Sequence, residues 1–172
     1  DRWGRLLVDL ADENGQSVAL ALLVAGLARV APEFETRACE SERLEAEGAA
    51  RAAGEGLWSS AGAILDAADR GALEASDGRF VLVAGFVRRV GERRVKVYLD
   101  FAGRGALSVT VARNNESLLR RRGIDPRTLA GKRLLVRGVL DDRFGPRIEV
   151  ADPSMIELQE GAGGAKETKR AE

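Results

Sequence analysis

A surface that holds a single strand of nucleic acid needs cations to neutralise phosphates and aromatic faces on which bases can stack. Between residues 79 and 158 the chain supplies both. Arg88, Arg89, Arg93, Arg94 and Lys96 fall close together, Tyr98 follows them, and Arg143 and Phe144 stand side by side further on. The other reading of the same residues is a soluble barrel with a basic outer face. The acidic residues carry less. Asp9, Asp12, Glu13 and the glutamates of residues 40–55 lack the spacing of metal ligands and read as a solvated face. The chain has no histidine and one cysteine, Cys39, which excludes the usual zinc sites, a Ser-His-Asp arrangement and an internal disulfide. Any hydrolytic chemistry must use carboxylates and arginines, with or without a hard metal ion.

The net charge of zero hides an asymmetry. Residues 1–77 hold 7 Lys/Arg against 15 Asp/Glu, residues 78–158 hold 17 against 9, and residues 159–172 hold 3 against 3. Charges of −8, +8 and 0 point to two units with different partners, the second able to attract a polyanion. No apolar run approaches the roughly 18 residues of a membrane span, so no membrane partner is expected.

The elements that must position these residues can be read in order. Leu6, Val8 and Leu10 alternate as a strand, Asp12-Glu13-Asn14-Gly15 is a hairpin turn, and Gln16–Val18 is a short return strand. From about Ala19 the spacing of Leu20, Leu23, Val24 and Leu27 predicts a helix that Gly26 can cap. A second helix is expected from about Arg37 to Gly54, with Glu40, Glu42, Glu45 and Glu55 facing solvent and Trp58 folding back on the helices. Residues 61–78 read as a linker holding one short helix, Ile64–Arg70. Phe80–Val90 is a strand long enough to bend at Gly85, and Val95, Val97, Leu99 and Phe101 alternate strictly with Arg94, Lys96, Tyr98 and Asp100. Leu107–Val111 is a third strand, a helix carries Leu118 and Leu119, and strands follow at Arg133–Leu140 and Arg147–Val150. Three strands, a helix and two strands is the order of an oligonucleotide-binding (OB) barrel. A six-stranded or sandwich-like variant remains open, because Met155–Leu158 can add a strand. Residues 159–172 have almost nothing to bury and read as a disordered tail.

Residues 1–60 resemble the C-terminal half of thermonuclease domains, the micrococcal-nuclease-like family. The matching pieces are Asp1-Arg2-Trp3-Gly4-Arg5-Leu6-Leu7, Asn14-Gly15, Val18, Leu22-Leu23-Val24-Ala25-Gly26-Leu27-Ala28, Glu47, Ala50-Arg51 and Gly56-Leu57-Trp58. Trp3 replaces the usual tyrosine of the Tyr-Gly-Arg signature. The resemblance implies a calcium-dependent phosphodiesterase on an OB barrel with extra helices, secreted or periplasmic. It also implies that the metal-binding carboxylates, the general base and a first phosphate-binding arginine come from the half that this sequence does not contain. No calcium site is therefore expected in the fragment alone, which is expected to be inactive by itself. Of the family's functional residues only the signature arginine carries over, onto Arg5, where it would clamp the phosphate and stabilise transition-state charge. Where the family stacks a base on tyrosines, this chain has Pro32 and Phe34; Phe34 can stack but lacks the hydroxyl. The second unit resembles a C-terminal extension of some bacterial thermonuclease-like proteins, with a similar Gly-Pro-Arg-Ile-Glu-Val strand at residues 145–150.

The expected whole is thus an α+β, mostly β chain: a partial OB-fold nuclease half (residues 1–60, a β-hairpin plus two helices), then a five-stranded OB-like barrel with one helix (residues 79–158). Its parent would hydrolyse DNA or RNA. The alternatives are a non-catalytic OB module for single-stranded nucleic acid and an OB protein that binds a ligand other than nucleic acid.

Overall fold

A computed structural model describes residues 8–32 and 39–159, and the chain divides into two compact units, Asp1–Ile64 and Leu65–Glu172. In the first unit the Asp12–Gly15 turn forms as its side chains dictate. The Asp12 carboxylate accepts from the backbone N–H groups of Asn14 and Gln16, Gly15 takes φ +78°, and Ala11 bridges Ser17. Ser17 then caps α1 (Val18–Val24) by accepting from the Leu20 N–H. Among the described residues the arms are joined at that bridge, with the Val18 N–H donating to the Leu10 carbonyl at 3.0 Å, and Val8 and Leu10 stay 67% and 62% exposed.

Helix α2 (Glu40–Ala53) ends at Gly54 in the left-handed conformation. It buries Glu47 and Ala50, and also Glu40, which is only 8% exposed and not the solvent-facing residue its charge predicts. Glu42, Glu45 and Glu55 are exposed. Trp58 is buried in the short turn after α2, with the Arg29 guanidinium 5.6 Å from its ring centre.

Of residues 61–78, expected as a linker, those from Leu65 onward belong to the second unit. Strand β1 (Leu65–Asp66) pairs parallel with the next strand, and Ala67 and Leu73 lie in that unit's core. The short helix α3 falls at Arg70–Glu74, later than its expected place, because Asp69 caps it by accepting from the Ala72 N–H.

Strand β2 (Phe80–Glu92) holds the barrel together by changing partner. Phe80–Phe86 pair antiparallel with β5 (Arg133–Val139), and Val87–Glu92 pair antiparallel with β3 (Lys96–Phe101). Gly85 sits just before the change, where a Cβ would come within 2.5 Å of Ala67 Cβ and 2.9 Å of Phe101. A side chain there would block the crossing. The register slips between Val87 and Arg89. Val87 and, beyond it, Val90 both face the core, so the bulge sends Arg88 and Arg89 outward together.

Strand β3 pairs with β4 (Ser108–Ala112), which pairs parallel with β6 (Arg147–Val150), and an Asp141–Arg147 bridge brings the start of β6 back beside the end of β5. Between β4 and β5 lies α4 (Glu116–Arg121), with Leu119 in the core. A meander of three strands, a helix and two further strands, with the third and fifth parallel, is the OB topology. Two additions make a seven-stranded sheet of the expected five: β1, too short to show periodicity, and β7 (Ile156–Gln159), antiparallel to β5. Among the described residues no helix is long and apolar enough to cross a membrane.

Candidate nucleic-acid interface

The outward face of β3 carries Lys96, Tyr98 and Asp100, because Val97, Leu99 and Phe101 take the core. Register places Gly91, Thr110 and Glu149 across from Tyr98, and Arg89, Ser108 and Arg147 across from Asp100. The β2–β3 turn stands at the Lys96 end of this face, and the β5–β6 loop leads into Arg147 at the other. A strand of six residues separates the two by roughly 20 Å.

Half of the cations expected here are engaged. The Arg89 guanidinium donates to Asp100 at 2.7 and 3.2 Å, and Ser108 donates to the other oxygen of that carboxylate at 3.1 Å. Lys96 pairs with Glu149 at 3.0 Å. Arg143 closes on Asp141 at 2.7 Å with its backbone N–H donating to the same carboxylate. The side-chain hydrogen bond from Arg143, then its backbone one, hold the Asp141 carboxyl down to about 2. The ion pair is therefore complete at neutral pH, is retained as the pH falls past the ordinary carboxylate range, and is lost only on descent through about 2. Both groups are solvent-exposed, so an arriving phosphate has to compete with a weak, screened pair.

Arg93 and Arg94 differ. Both are exposed on the β2–β3 turn, and neither guanidinium has an acidic partner among the described residues. The turn beneath them is braced: Arg93 N–H donates to the Lys96 carbonyl, and Arg113 donates to the Arg93 carbonyl and to Glu92. At the opposite end Phe144 is 82% exposed, while Tyr98 is half-buried between the two loops. Arg88 is exposed and without an acidic partner among the described residues, but the bulge places it where β2 meets the loop before β5. Arg5 and Phe34 lie outside the described residues.

Other arginines are consumed in holding α4 to the barrel. Glu116 receives Arg113, Arg120 and Arg127 at 3.0–3.5 Å, and Glu92 receives Arg113 and Arg127. Among the described residues no three His, Cys, Asp or Glu side chains gather as a metal site requires. The described residues therefore offer no ligand set for the calcium that the resemblance implies, and no catalytic step through calcium follows from them. Reasoning from sequence also missed Ser108, Arg147 and Glu149 on this face, which only the β3–β4–β6 register brings beside β3. It missed Phe86 as well, hidden in an unbroken apolar run although an odd-in, even-out alternation places it outside.

Residues 1–60 match the family described as staphylococcal nuclease homologue. A search of curated proteins finds no match. Among solved structures the chain is similar to the OBody AM3L15 bound to hen egg-white lysozyme, at 18% identity over 51% of this chain and 87% of that one, with a TM-score of 0.38. It is also similar to the OBody AM1L10 bound to hen egg-white lysozyme, at 19% identity over 51% and 85%, TM-score 0.37. A third is asparaginyl-tRNA synthetase from Pyrococcus horikoshii, at 19% identity over 49% and 20%, TM-score 0.35. The OB assignment rests on the strand order of the second unit and not on these likenesses.

Proposed function

We propose, from the premise that residues 1–60 are a thermonuclease-like segment, that the protein works on nucleic acid: the second unit holds a single strand across the outer face of β3 for a phosphodiester-hydrolysing nuclease domain. In that domain Arg5 clamps the scissile phosphate and Phe34 stacks a base. In the second unit Arg93 and Arg94 take phosphates at one end of the β3 face, Phe144 stacks a base at the other, and Tyr98 lies between. Lys96, Arg89 and Arg143 join by exchanging a carboxylate for a phosphate. The observation that carries this reading is a pair of exposed arginines, without an acidic partner among the described residues, on a braced turn at one end of an OB face with an exposed aromatic at the other.

The test is fluorescence anisotropy with a labelled oligothymidylate of about 15 nucleotides, a length that one OB fold can occupy, over a salt series. Affinity is expected to fall linearly with salt on logarithmic axes, and Arg93→Ala/Arg94→Ala to reduce the slope by about 1.4, the loss of two single-strand phosphate contacts. Binding that is absent or indifferent to salt would turn the reading towards a ligand other than nucleic acid.

A second prediction follows from the competition at Asp141. Asp141→Asn keeps an oxygen for the Arg143 backbone N–H and removes the charge that occupies its guanidinium. Affinity for the same oligonucleotide should rise by about two- to fivefold, the release of a surface ion pair. A fall would mean that the pair shapes the loop and that Arg143 does not contact the strand.

A further inference from the structure

A different face of the second unit carries the same chemistry with fewer internal partners. Phe86 stands on the outward side of β2 and remains 51% exposed. Its register partner on β5 is Arg133, whose guanidinium carbon lies 5.8 Å from the ring centre. The guanidinium therefore lies over one face of the ring, near the outer limit of a cation–π contact, and the ring keeps half of its surface exposed. The backbone here is fixed: Val87 N–H donates to the Lys132 carbonyl at 2.9 Å, Gly131 N–H donates to the Val87 carbonyl at 2.8 Å, and Ala102 N–H donates to the Phe86 carbonyl at 2.9 Å. These bonds hold Lys132 beside β2, and the bulge adds Arg88 on the outward side.

Arg88, Lys132 and Arg133 are all exposed, and none has an acidic partner among the described residues. Arg89, the other bulge arginine, is instead paired with Asp100. A half-exposed aromatic with one cation over it and two more exposed cations at neighbouring backbone positions, none with an acidic partner among the described residues, is a poor choice for solubility or for packing alone. A cross-strand pair between Phe86 and Arg133 adds only modestly to the sheet, and accounts for neither Arg88 nor Lys132.

We propose that Phe86, with Arg88, Lys132 and Arg133, forms a second contact for single-stranded nucleic acid on the β2–β5 face, separate from the loops that flank β3. A base stacks on the free part of the Phe86 ring and the adjoining Arg133 guanidinium plane, and the three cations take the phosphates on either side. The charge favours a polyanion, and the exposed ring distinguishes a nucleic acid from a polyanion without bases. The proposal rests on the reading that the second unit binds a single strand, and adds where else that strand is held.

The experiment uses the full chain with labelled oligothymidylate, comparing Phe86→Ala, Phe86→Trp, Lys132→Ala/Arg133→Ala and Arg93→Ala/Arg94→Ala, with inorganic polyphosphate as a polyanion that cannot stack. Phe86→Ala should weaken oligonucleotide binding at least about fivefold, the effect of one stacked base, and Phe86→Trp should restore it. Lys132→Ala/Arg133→Ala should weaken oligonucleotide and polyphosphate alike, and Phe86→Ala should leave polyphosphate binding unchanged. Near-ultraviolet irradiation of the wild-type complex should crosslink thymine to the peptide holding Phe86. If Phe86→Ala binds like the wild type while Arg93→Ala/Arg94→Ala does not, the second contact is overturned and the β3-face reading stands. If Phe86→Ala weakens polyphosphate as much as oligonucleotide, base stacking is overturned. If the wild type binds no oligonucleotide at low salt, both readings fall.

Discussion

Alanine at Gly26, or at Gly56, is expected to unfold the first unit and leave the second folded. Gly26 has φ +67°, and a Cβ built on it would stand 2.3 Å from the Glu55 carbonyl oxygen and 2.7 Å from that carbonyl carbon. Gly56 has φ +53°, and its Cβ would stand 2.6 Å from the Gly26 oxygen and 2.8 Å from the Ala25 oxygen. The two glycines face each other, and the Leu57 N–H donates to the Gly26 carbonyl at 2.9 Å between them. Every clashing atom is backbone, so nothing can swing aside. The left-handed conformation costs an alanine about 1–3 kcal/mol, and the shift needed to relieve the overlap about as much again. A unit of this size is stable by only some 3–10 kcal/mol, and each substitution removes a large part of that.

Gly54 supplies the control. It is also left-handed, with φ +69°, but nothing lies within 4 Å of its added Cβ, so Gly54→Ala meets the backbone strain alone. Both tryptophans, Trp3 and Trp58, belong to the first unit and none to the second. Urea titration followed by tryptophan emission therefore reads the first unit alone, and far-ultraviolet circular dichroism reads the remainder. A Gly26→Ala protein as stable as Gly54→Ala would contradict the close approach.

Those glycines show where sequence stops being informative. Gly26 is legible as a helix cap and Gly56-Leu57-Trp58 as part of a family pattern, but the contact joins positions 30 apart in the chain, and local periodicity carries no trace of it. The strict alternation makes β3 readable, because Val97, Leu99 and Phe101 enter the core and the polar residues between them leave it, although Val95 at the head of the pattern stays 65% exposed before the strand begins. The bulge in β2 is not readable, because the apolar run of residues 80–87 that leads into it predicts a strand in any register. The site follows the same division. Residue types that can bind a polyanion were visible, but which of them are free depends on neighbours across the sheet. Lys96 meets Glu149, 53 positions away, and Arg89 meets Asp100 through a register that the bulge sets. Glu40 reversed its expected exposure because tertiary burial overrides a solvated-face reading of charge.

Loss of the Glu47 carboxylate is the other large effect expected. Glu47 is a matching residue of the thermonuclease-like pattern and is fully buried in α2 at 0% exposure. One of its oxygens accepts from the Val30 N–H at 2.6 Å, and the other faces Arg51, one helical turn on, at 3.5 Å. Val30 is itself buried, where loss of a hydrogen-bond acceptor for a backbone N–H is costly. Glu47→Ala deletes the acceptor, leaves an apolar gap and strips Arg51 of a partner. Breaking one side of a buried charged pair costs about 3–5 kcal/mol, again comparable with the whole stability of the unit. Glu47→Gln keeps an oxygen to accept from Val30 and gives up only the charge, so it should lose roughly half as much, in line with the 1.5–3 kcal/mol of a hydrogen bond to a charged group set against a neutral one. Tryptophan-detected urea titration orders the three proteins as wild type, Gln, Ala if the acceptor holds the chain at Val30. If Gln and Ala are equal, the ion pair with Arg51 carries the effect and the hydrogen bond to Val30 is incidental.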